Sequence, residues 1–513
     1  MAGSSNSGRL VVGIDSSTQS VKAIAWDERG KAVAEGRASI PIVQRGLDCF
    51  EQDPETWWSS CVTALNALVG QVDPARIDGI AISNQRETMA FLDADAKPTY
   101  PAMVWLDGRT RAEVKELVAA LGADRIGQIS GRPPDVTPGI YRVMWMRKHE
   151  PEAFERTACF ADVQSYLVYR LSGGPFRTSW SSADPSGIFD VVEKRWSEPL
   201  LDAIGISADR LPQVIRPGEE IGRVTAEAAA ATGLREGTRI FAGGGDGQCA
   251  GLGTACVRPG RAYVNLGTAV ASGIWSDTYL ADRAWRTNIA AHGDGYIFEN
   301  CLRSGSYLLD WFVNQFVAGR NPGSSVFDQM EEEALKLAIG SDGLLVQPYW
   351  SGVMDPYWDT RARGVIVGLG MSHKPFHIHR AIIEGITLDT VMGTQASEKA
   401  SGQTVDHYLA IGGGANSRLW RQMLADASGK PVHVSDTVEA SALGAGMLAA
   451  TGAGWYGSAA EASNAMAGEA RVYEPDLANL SRYSELLEIY RDLYAANASI
   501  NQRLVDFAAG DNR

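Results

Sequence analysis

Several apolar runs in this chain end in small and polar residues of the kind that handle phosphate and protons. The strand-like run Arg239–Ala242 enters Gly243-Gly244-Gly245-Asp246-Gly247-Gln248. Glycine lets the backbone wrap closely around a ligand, and Asp246 could take a proton from an attacking hydroxyl, the general-base role in phosphoryl transfer. An Asp that caps the next helix is the other reading of this turn. Two hairpin-like runs repeat one device: Arg9–Ala23 carries Asp15, Ser16, Ser17 and Thr18, and Arg261–Gly273 carries Gly267 and Thr268. Consecutive N–H groups and hydroxyls in such turns cradle phosphate oxygens. Mg²⁺ takes one or two carboxylates together with water and phosphate oxygens, which suits Asp15; a turn-stabilising Asp is the alternative. Lys22 could reach a phosphate or stand solvated on its strand.

Arg86, Glu87 and Trp105 offer a donor fork, an acceptor and an apolar face. Together they suit a sugar or polyol, although a surface Arg–Glu pair reads equally well locally. His373, His377 and His379 cluster without enough further ligands for a metal site. No GxxxxGK[ST] loop is present, so ATP would be held by the paired hairpins.

These residues need rigid elements behind them. Asp53-Pro54-Glu55 predicts a helix start, with Trp57, Trp58, Cys61, Leu65, Leu68 and Val69 on its apolar face. Ile77–Ser83 predicts a strand that delivers Asn84–Thr88, the polar end where open α/β sheets bind ligands. Phe160–Leu171 predicts a helix and Pro212–Glu219 a connector. Tyr408–Ile411 predicts a strand entering Gly412–Asn416, followed by a helix closed at Gly429. Ser481–Phe507 predicts a long final helix. A chain of 513 residues exceeds a single core, and the repeated grammar predicts two α/β domains, 9–254 and 255–513, after a tail over 1–8.

Net charge is −14, which argues against nucleic-acid or anionic-membrane partners. The six cysteines are scattered without a CxxC pair, as expected of buried reduced thiols. Met1–Gly8 lacks the features of a signal peptide and no apolar run reaches membrane-span length, so a cytoplasmic protein is expected.

The chain resembles the FGGY carbohydrate kinases of the actin-like ATPase superfamily. Gly364-Val365-Ile366-Val367-Gly368-Leu369, followed after seven residues by His377–Glu384, fits the family's second signature. The first signature is partly present in Thr137–Trp145, with Gly139 and Arg142 departing from it. The resemblance runs from Val11 to about Ala450. It implies two actin-like (ribonuclease H-like) domains with an ATP and sugar cleft between them, closing over the substrates to exclude water. It implies transfer of the ATP γ-phosphoryl group, with Asp246 as base, Asp15 orienting Mg²⁺, and Thr18 and Thr268 on phosphates. Gly413, Gly414 and Asn416 would line the adenosine side. Homodimers are frequent in the family, and a homodimer is expected.

The acceptor is read two ways. Asn84–Thr88 resembles glycerol kinases, whose Arg and Glu there hold the polyol. Trp105–Arg109, the triple-Gly turn before Asp246 and Arg195–Leu201 resemble the xylulokinase branch, and Gly247 stands where glycerol kinases have Gln. A ketopentose such as xylulose is expected first, then glycerol or erythritol. A catalytically silent sugar- or nucleotide-binding regulator, or another actin-like ATPase, are the competing classes.

Overall fold

The computed structural model describes residues 8–46, 48–317, 324–435, 439–468 and 470–510. Most of the anticipated tail therefore lies outside the described residues.

The predicted duplication is visible as two sheets of the same plan. The first contains β1 (Leu10–Ser16), β2 (Ser20–Trp26), β3 (Ala32–Ser39), β4 (Ile77–Asn84), β5 (Glu220–Arg223) and β6 (Arg239–Gly245), in spatial order β5-β6-β4-β1-β2-β3. The second contains β7 (Arg261–Leu266), β8 (Val270–Ser276), β9 (Arg286–Ile289), β10 (Tyr296–Leu302), β11 (His407–Ile411), β12 (Val432–Ser435) and β13 (Ala470–Tyr473), in order β9-β10-β8-β7-β11-β12-β13. In each, an antiparallel meander feeds two parallel neighbours and ends in an antiparallel edge strand. The protein is a two-domain α/β fold of the actin-like kind.

Helices cover the sheets. α1 (Pro54–Val69) starts as its sequence dictates: Asp53 accepts the Glu55 N–H, and Pro54 occupies the first turn, where no N–H is missed. Its buried Trp57, Cys61, Leu65 and Leu68 pack under Leu10, Val12 and Ile14. Each such fully buried Leu contributes about 2 kcal/mol. α2 (Val163–Ser172) is shorter than the sequence predicts. Phe160 lies in the strand Cys159–Ala161, and Asp162 starts the helix by accepting the Ser165 N–H. The Pro212–Glu219 connector contains the short strand Gln213–Ile215.

α3 (Asp246–Gly253) leaves the end of β6. α4 (Pro375–Ser401) and α5 (Arg418–Ser428) pack on the second sheet. α6 (Ala440–Gly452), late in the chain, returns to the first sheet and crosses α3. The crossing depends on Gly444: a Cβ there would sit 2.0 Å from the Cys249 carbonyl oxygen. α7 (Leu477–Gly510) extends beyond both ends of the predicted helix. Among the described residues no helix is long and apolar enough to cross a membrane. Cys61, Cys159, Cys249 and Cys256 are buried free thiols, and Cys49 and Cys301 are half-buried.

Candidate active site

Strand alternation aims Asp15 between the lobes. Leu10, Val12 and Ile14 face α1, so Val11, Gly13 and Asp15 face the opposite side, toward α6. Gly13 permits the approach, because a Cβ there would lie 1.8 Å from the Ala442 carbonyl oxygen. Asp15 pairs with Ser83 of β4, whose hydroxyl donates to its Oδ1 at 2.9 Å. Burial, and then the charge of Asp246, push the Asp15 carboxyl up to about 7, against the pull of Ser83 and Lys22.

Asp246 stands at the neighbouring strand end. Gly243 lets β6 press onto β4, since its Cβ would meet the Ile82 carbonyl oxygen at 1.9 Å. Asp246 then opens α3 as its first residue, after the N-cap Gly245. Its Oδ1 accepts from the adjacent Gly247 N–H at 2.8 Å and from Arg86 Nε at 3.0 Å, a carboxylate in the first turn where the helix dipole favours it. Its Oδ2 has no hydrogen-bond partner among the described residues, and the side chain is 37% exposed. Burial raises the Asp246 pKa above the usual carboxylate range; Arg86 and the Gly247 N–H oppose it, while Glu87 and Glu299 add to it.

Arg86 is the centre of a buried network joining the lobes. Its Nη1 donates to both oxygens of Glu299, on β10, at 3.0 Å. Glu299 also accepts from Arg286 Nη2 at 2.5 Å and from the Tyr263 hydroxyl at 2.6 Å. Burial alone would raise the Glu299 pKa, but Arg86 and Arg286 hold it at about 2. Glu87 Oε1 accepts from Arg132 and Arg286, each at 3.0 Å. Arg132 continues to Asp184 at 3.1 Å and to Asn288. Asp184 in turn accepts the Ile289 N–H at 2.6 Å, and burial pushes its carboxyl up to about 7. Arg142, at the departure from the first signature, is buried and donates to the backbone carbonyls of Glu87, Thr137 and Val104.

The two hairpin turns are each fixed by hydrogen bonds of their own lobe. Ser17 Oγ closes its own hairpin on the Ser20 carbonyl at 3.0 Å, and Trp105 Nε1 donates to Thr18 Oγ1 at 2.9 Å. On the second lobe, β7 and β11 are parallel neighbours, so Gly267-Thr268 and Gly412–Asn416 leave the same carboxyl edge. The Gly267 and Thr268 carbonyls are fixed by the Ser306 and Gly305 N–H groups at 2.8 Å. Gly412 has φ 86°, and a Cβ on Gly414 would meet Trp420 at 2.6 Å; Gly413 and Asn416 complete the turn.

The structure thus brings Asp15, Arg86, Glu87 and Asp246 into one cluster, and Trp105 against Thr18. Among the described residues no hydrogen bond joins the Ser17-Thr18 turn to the Gly267-Thr268 turn. Arg132, Asp184, Arg286 and Glu299 escape the reading of the sequence. A signal existed in Arg286 and Glu299, charges inside otherwise strand-like runs, where burial demands a partner. Among the described residues no group of three or more His, Cys, Asp or Glu side chains could hold a metal ion. His377 instead pairs with Asp342 at 3.2 Å, and burial pushes His379 down to about 4.

Comparison with known proteins agrees with this geometry. Residues 10–253 match the N-terminal domain of the FGGY family of carbohydrate kinases, and residues 262–453 match its C-terminal domain. A xylulose kinase of Bacillus subtilis is 31% identical, covering 97% of this chain and 99% of its own. A gluconokinase of the same organism is 25% identical, covering 98% of each chain. The crystal structure of a xylulose kinase from Rhodospirillum rubrum superposes with a TM-score of 0.87 at 25% identity, covering 96% of this chain and 100% of the other. The chain belongs to the FGGY family of carbohydrate kinases, in its xylulokinase-like branch, and is an ATP-dependent phosphotransferase acting on a hydroxyl of a sugar or polyol.

Proposed function

We propose that the acceptor is a ketopentose such as xylulose, phosphorylated with Asp246 as the base. The observation that carries this reading is how the Arg86-Glu87 pair is used. In a polyol clamp both side chains would offer free groups to hydroxyls. Here Glu87 Oε1 serves two arginines, and Arg86 is shared between Asp246 and Glu299. The segment that resembles glycerol kinases is thus also tied into ion pairs between the lobes, so its presence does not by itself argue for a linear polyol. The relatives named xylulose kinases point the same way.

Under this reading the acceptor hydroxyl donates to Asp246 Oδ2, the carboxylate oxygen with no partner. As the hydroxyl oxygen attacks the γ-phosphorus of ATP, Oδ2 takes its proton and the bond to the ADP leaving group breaks. Arg86 and the Gly247 N–H hold Oδ1, fixing the carboxylate plane. Ser17, Thr18, Gly267 and Thr268 would contact the phosphates, Gly413, Gly414 and Asn416 the adenosine, and Trp105 the apolar face of the sugar. Asp15 fits a Mg²⁺ role, because the burial and the neighbouring Asp246 charge that raise its pKa are what a bound cation would offset. The metal would supply charge neutralisation of the transferring phosphoryl group. We place the division between the two catalytic domains at Thr254–Ala255.

The test is acceptor-dependent ADP release over ketoses, linear polyols and aldonates, with Asp246→Asn in parallel. A ketopentose is expected to give the highest kcat/KM. Asp246→Asn should lower kcat by about 10²–10⁴ while sugar binding persists. Turnover confined to glycerol or a tetritol would refute the substrate, and near-normal turnover in the variant would refute the base.

A further inference from the structure

The opposite edge of the second sheet carries a basic row that the phosphoryl-transfer reading does not use. Arg261 pairs with His407 across β7 and β11, and His433 of β12 pairs with Leu409. Paired residues, and residues two apart, share a face of a sheet. Arg261, His407 and His433 therefore stand side by side on one face. The two imidazoles stack at 4.4 Å between ring centres with 26° between planes. Arg258, exposed in the loop from α3 to β7, joins them around a cavity of about 490 Å³, which Asn464 also lines.

Like charges set opposite each other on neighbouring strands destabilise a sheet. Among the described residues no carboxylate lines the cavity with this row. Arg261 Nη1 donates to the Ala255 carbonyl at 2.6 Å, and its Nε is buried with no partner. Arg258 makes no hydrogen bond or ion pair among the described residues, and it lies close enough to Arg261 and His407 to disfavour their protonation. Two carboxylates stand near, Asp406 toward His407 and Glu474 toward His433, but neither lines the cavity. In a protein of net charge −14, a cavity walled by two arginines and two histidines is a local reversal of sign. Guanidinium groups match the geometry of phosphate oxygens, and imidazolium and carboxamide N–H groups supply further donors.

We propose that this cavity binds a small phosphate-bearing anion, at a site separate from the interlobe cleft. Arg261 and His407 stand at the amino ends of β7 and β11, whereas Gly267-Thr268 and Gly412–Asn416 leave the carboxyl ends, roughly 16–20 Å of strand away. The cavity reaches along β11 as far as Leu409 and Ala410. Burial, the partner imidazole and the arginines hold His407 below its ordinary pKa, and burial with Arg261 does so for His433 against Glu474. An incoming dianion reverses that balance. Among Arg258, Arg261, Asp406, His407, His433 and Glu474, the histidines are the type that ordinarily changes charge between pH 6 and 8. Binding therefore takes up protons and tightens as pH falls.

The test is a titration of the full-length protein with inorganic phosphate and, separately, glucose 6-phosphate. Histidine imidazole NMR and calorimetry are read at constant ionic strength, with chloride as the control. Saturable shifts at His407 and His433 are expected, with affinity rising from pH 8 to pH 6 and falling about tenfold in Arg258→Ala, a change of ~1.4 kcal/mol. Kinase turnover in that exposed-residue variant should stay at the parent level. A second variant, His433→Asn, should weaken the pH dependence, leaving the part carried by His407. Tighter binding of glucose 6-phosphate assigns the site to a sugar-borne phosphate, and equal or tighter binding of inorganic phosphate to the free ion. Shifts no larger than with chloride, or unchanged affinity in Arg258→Ala, would overturn the proposal.

Discussion

Replacing Glu299 by Gln removes one charge from the centre of the interlobe network while keeping the side chain's length. In the parent, that carboxylate accepts from Arg86, Arg286 and the Tyr263 hydroxyl, with no exposed surface. Its carboxyl is held at about 2 rather than the ordinary 4.5. A depression of that size corresponds to about 3 kcal/mol of stability. This contribution is present above pH 4.5 and is lost as pH falls toward 2. Removing one partner of a buried ion pair costs ~3–5 kcal/mol, and a carboxamide that still accepts hydrogen bonds belongs at the lower end. Both routes predict a loss near 3 kcal/mol at pH 7, read as a lower denaturant midpoint with an unchanged slope. The activity effect has its own signature. Without Glu299, Arg86 turns more fully to Asp246, and one of the charges raising the Asp246 pKa is gone. The acid limb of the kcat/KM profile should move to lower pH, with a lower plateau because the base is weaker. A purely structural Glu299 would lower stability and leave the acid limb in place. Parent-like stability together with an unmoved acid limb would refute the reasoning altogether.

Two further substitutions probe the cleft and its hinge. Asp15→Asn imitates the protonated carboxyl that the fold favours, since the folded pKa of about 7 lies above the ordinary 3.8. The parent binds the extra proton in the native state and loses stability as pH rises from about 4 to 7, so the ligand-free variant should melt higher than the parent at pH 8 by on the order of 2–4 kcal/mol and match it near pH 4. Turnover should fall at every pH and its dependence on Mg²⁺ should weaken; a parent-like Mg²⁺ titration would remove Asp15 from the metal site. Gly444→Ala drives a methyl into the Cys249 carbonyl at 2.0 Å and should destabilise by ~3 kcal/mol or more in thermal melts. Gly174→Ala, whose nearest neighbour would be 3.8 Å away, serves as the neutral control; equal melting of the two would refute the close α3–α6 crossing.

What the sequence made legible was local. The hairpins of β1 and β7 could be found because an apolar strand, a Gly or hydroxyl turn and a second strand follow one another within fifteen residues. Asp53-Pro54 marked its helix because capping and the fixed φ of proline act within a single turn. The Phe160 helix failed for a similarly local reason: Asp162 sets the start two residues later, and Phe160 pairs with Phe91 in a strand that sequence periodicity does not separate from a short apolar helix. The network around Arg86 was invisible because its members are single residues separated by long stretches of chain. Arg86 meets Glu299 across 213 positions, and Glu87 meets Arg286 across 199. No spacing rule connects such pairs; only the packing of the two sheets does.

That long-range pairing changes what Arg86 and Glu87 mean for catalysis. Read as a motif, they are substrate ligands contributed by the first lobe. Read in place, they are where the second lobe reaches the proposed base. Asp246 is supplied by β6 and α3, but its partner Arg86 is shared with Glu299 of β10, and Glu299 is held in turn by Arg286 and Tyr263. A change in the angle between the lobes must alter how Arg86 divides itself between the two carboxylates. When it leans toward Asp246 the carboxylate is stabilised and the base weakens. When it leans toward Glu299 the Asp246 carboxylate keeps its raised pKa and its affinity for a proton. Arg86 therefore gives lobe position a physical route to the strength of the proposed base. If the lobes of this kinase close over their substrates as the resemblance implies, that closure would also tune the proposed base through Arg86.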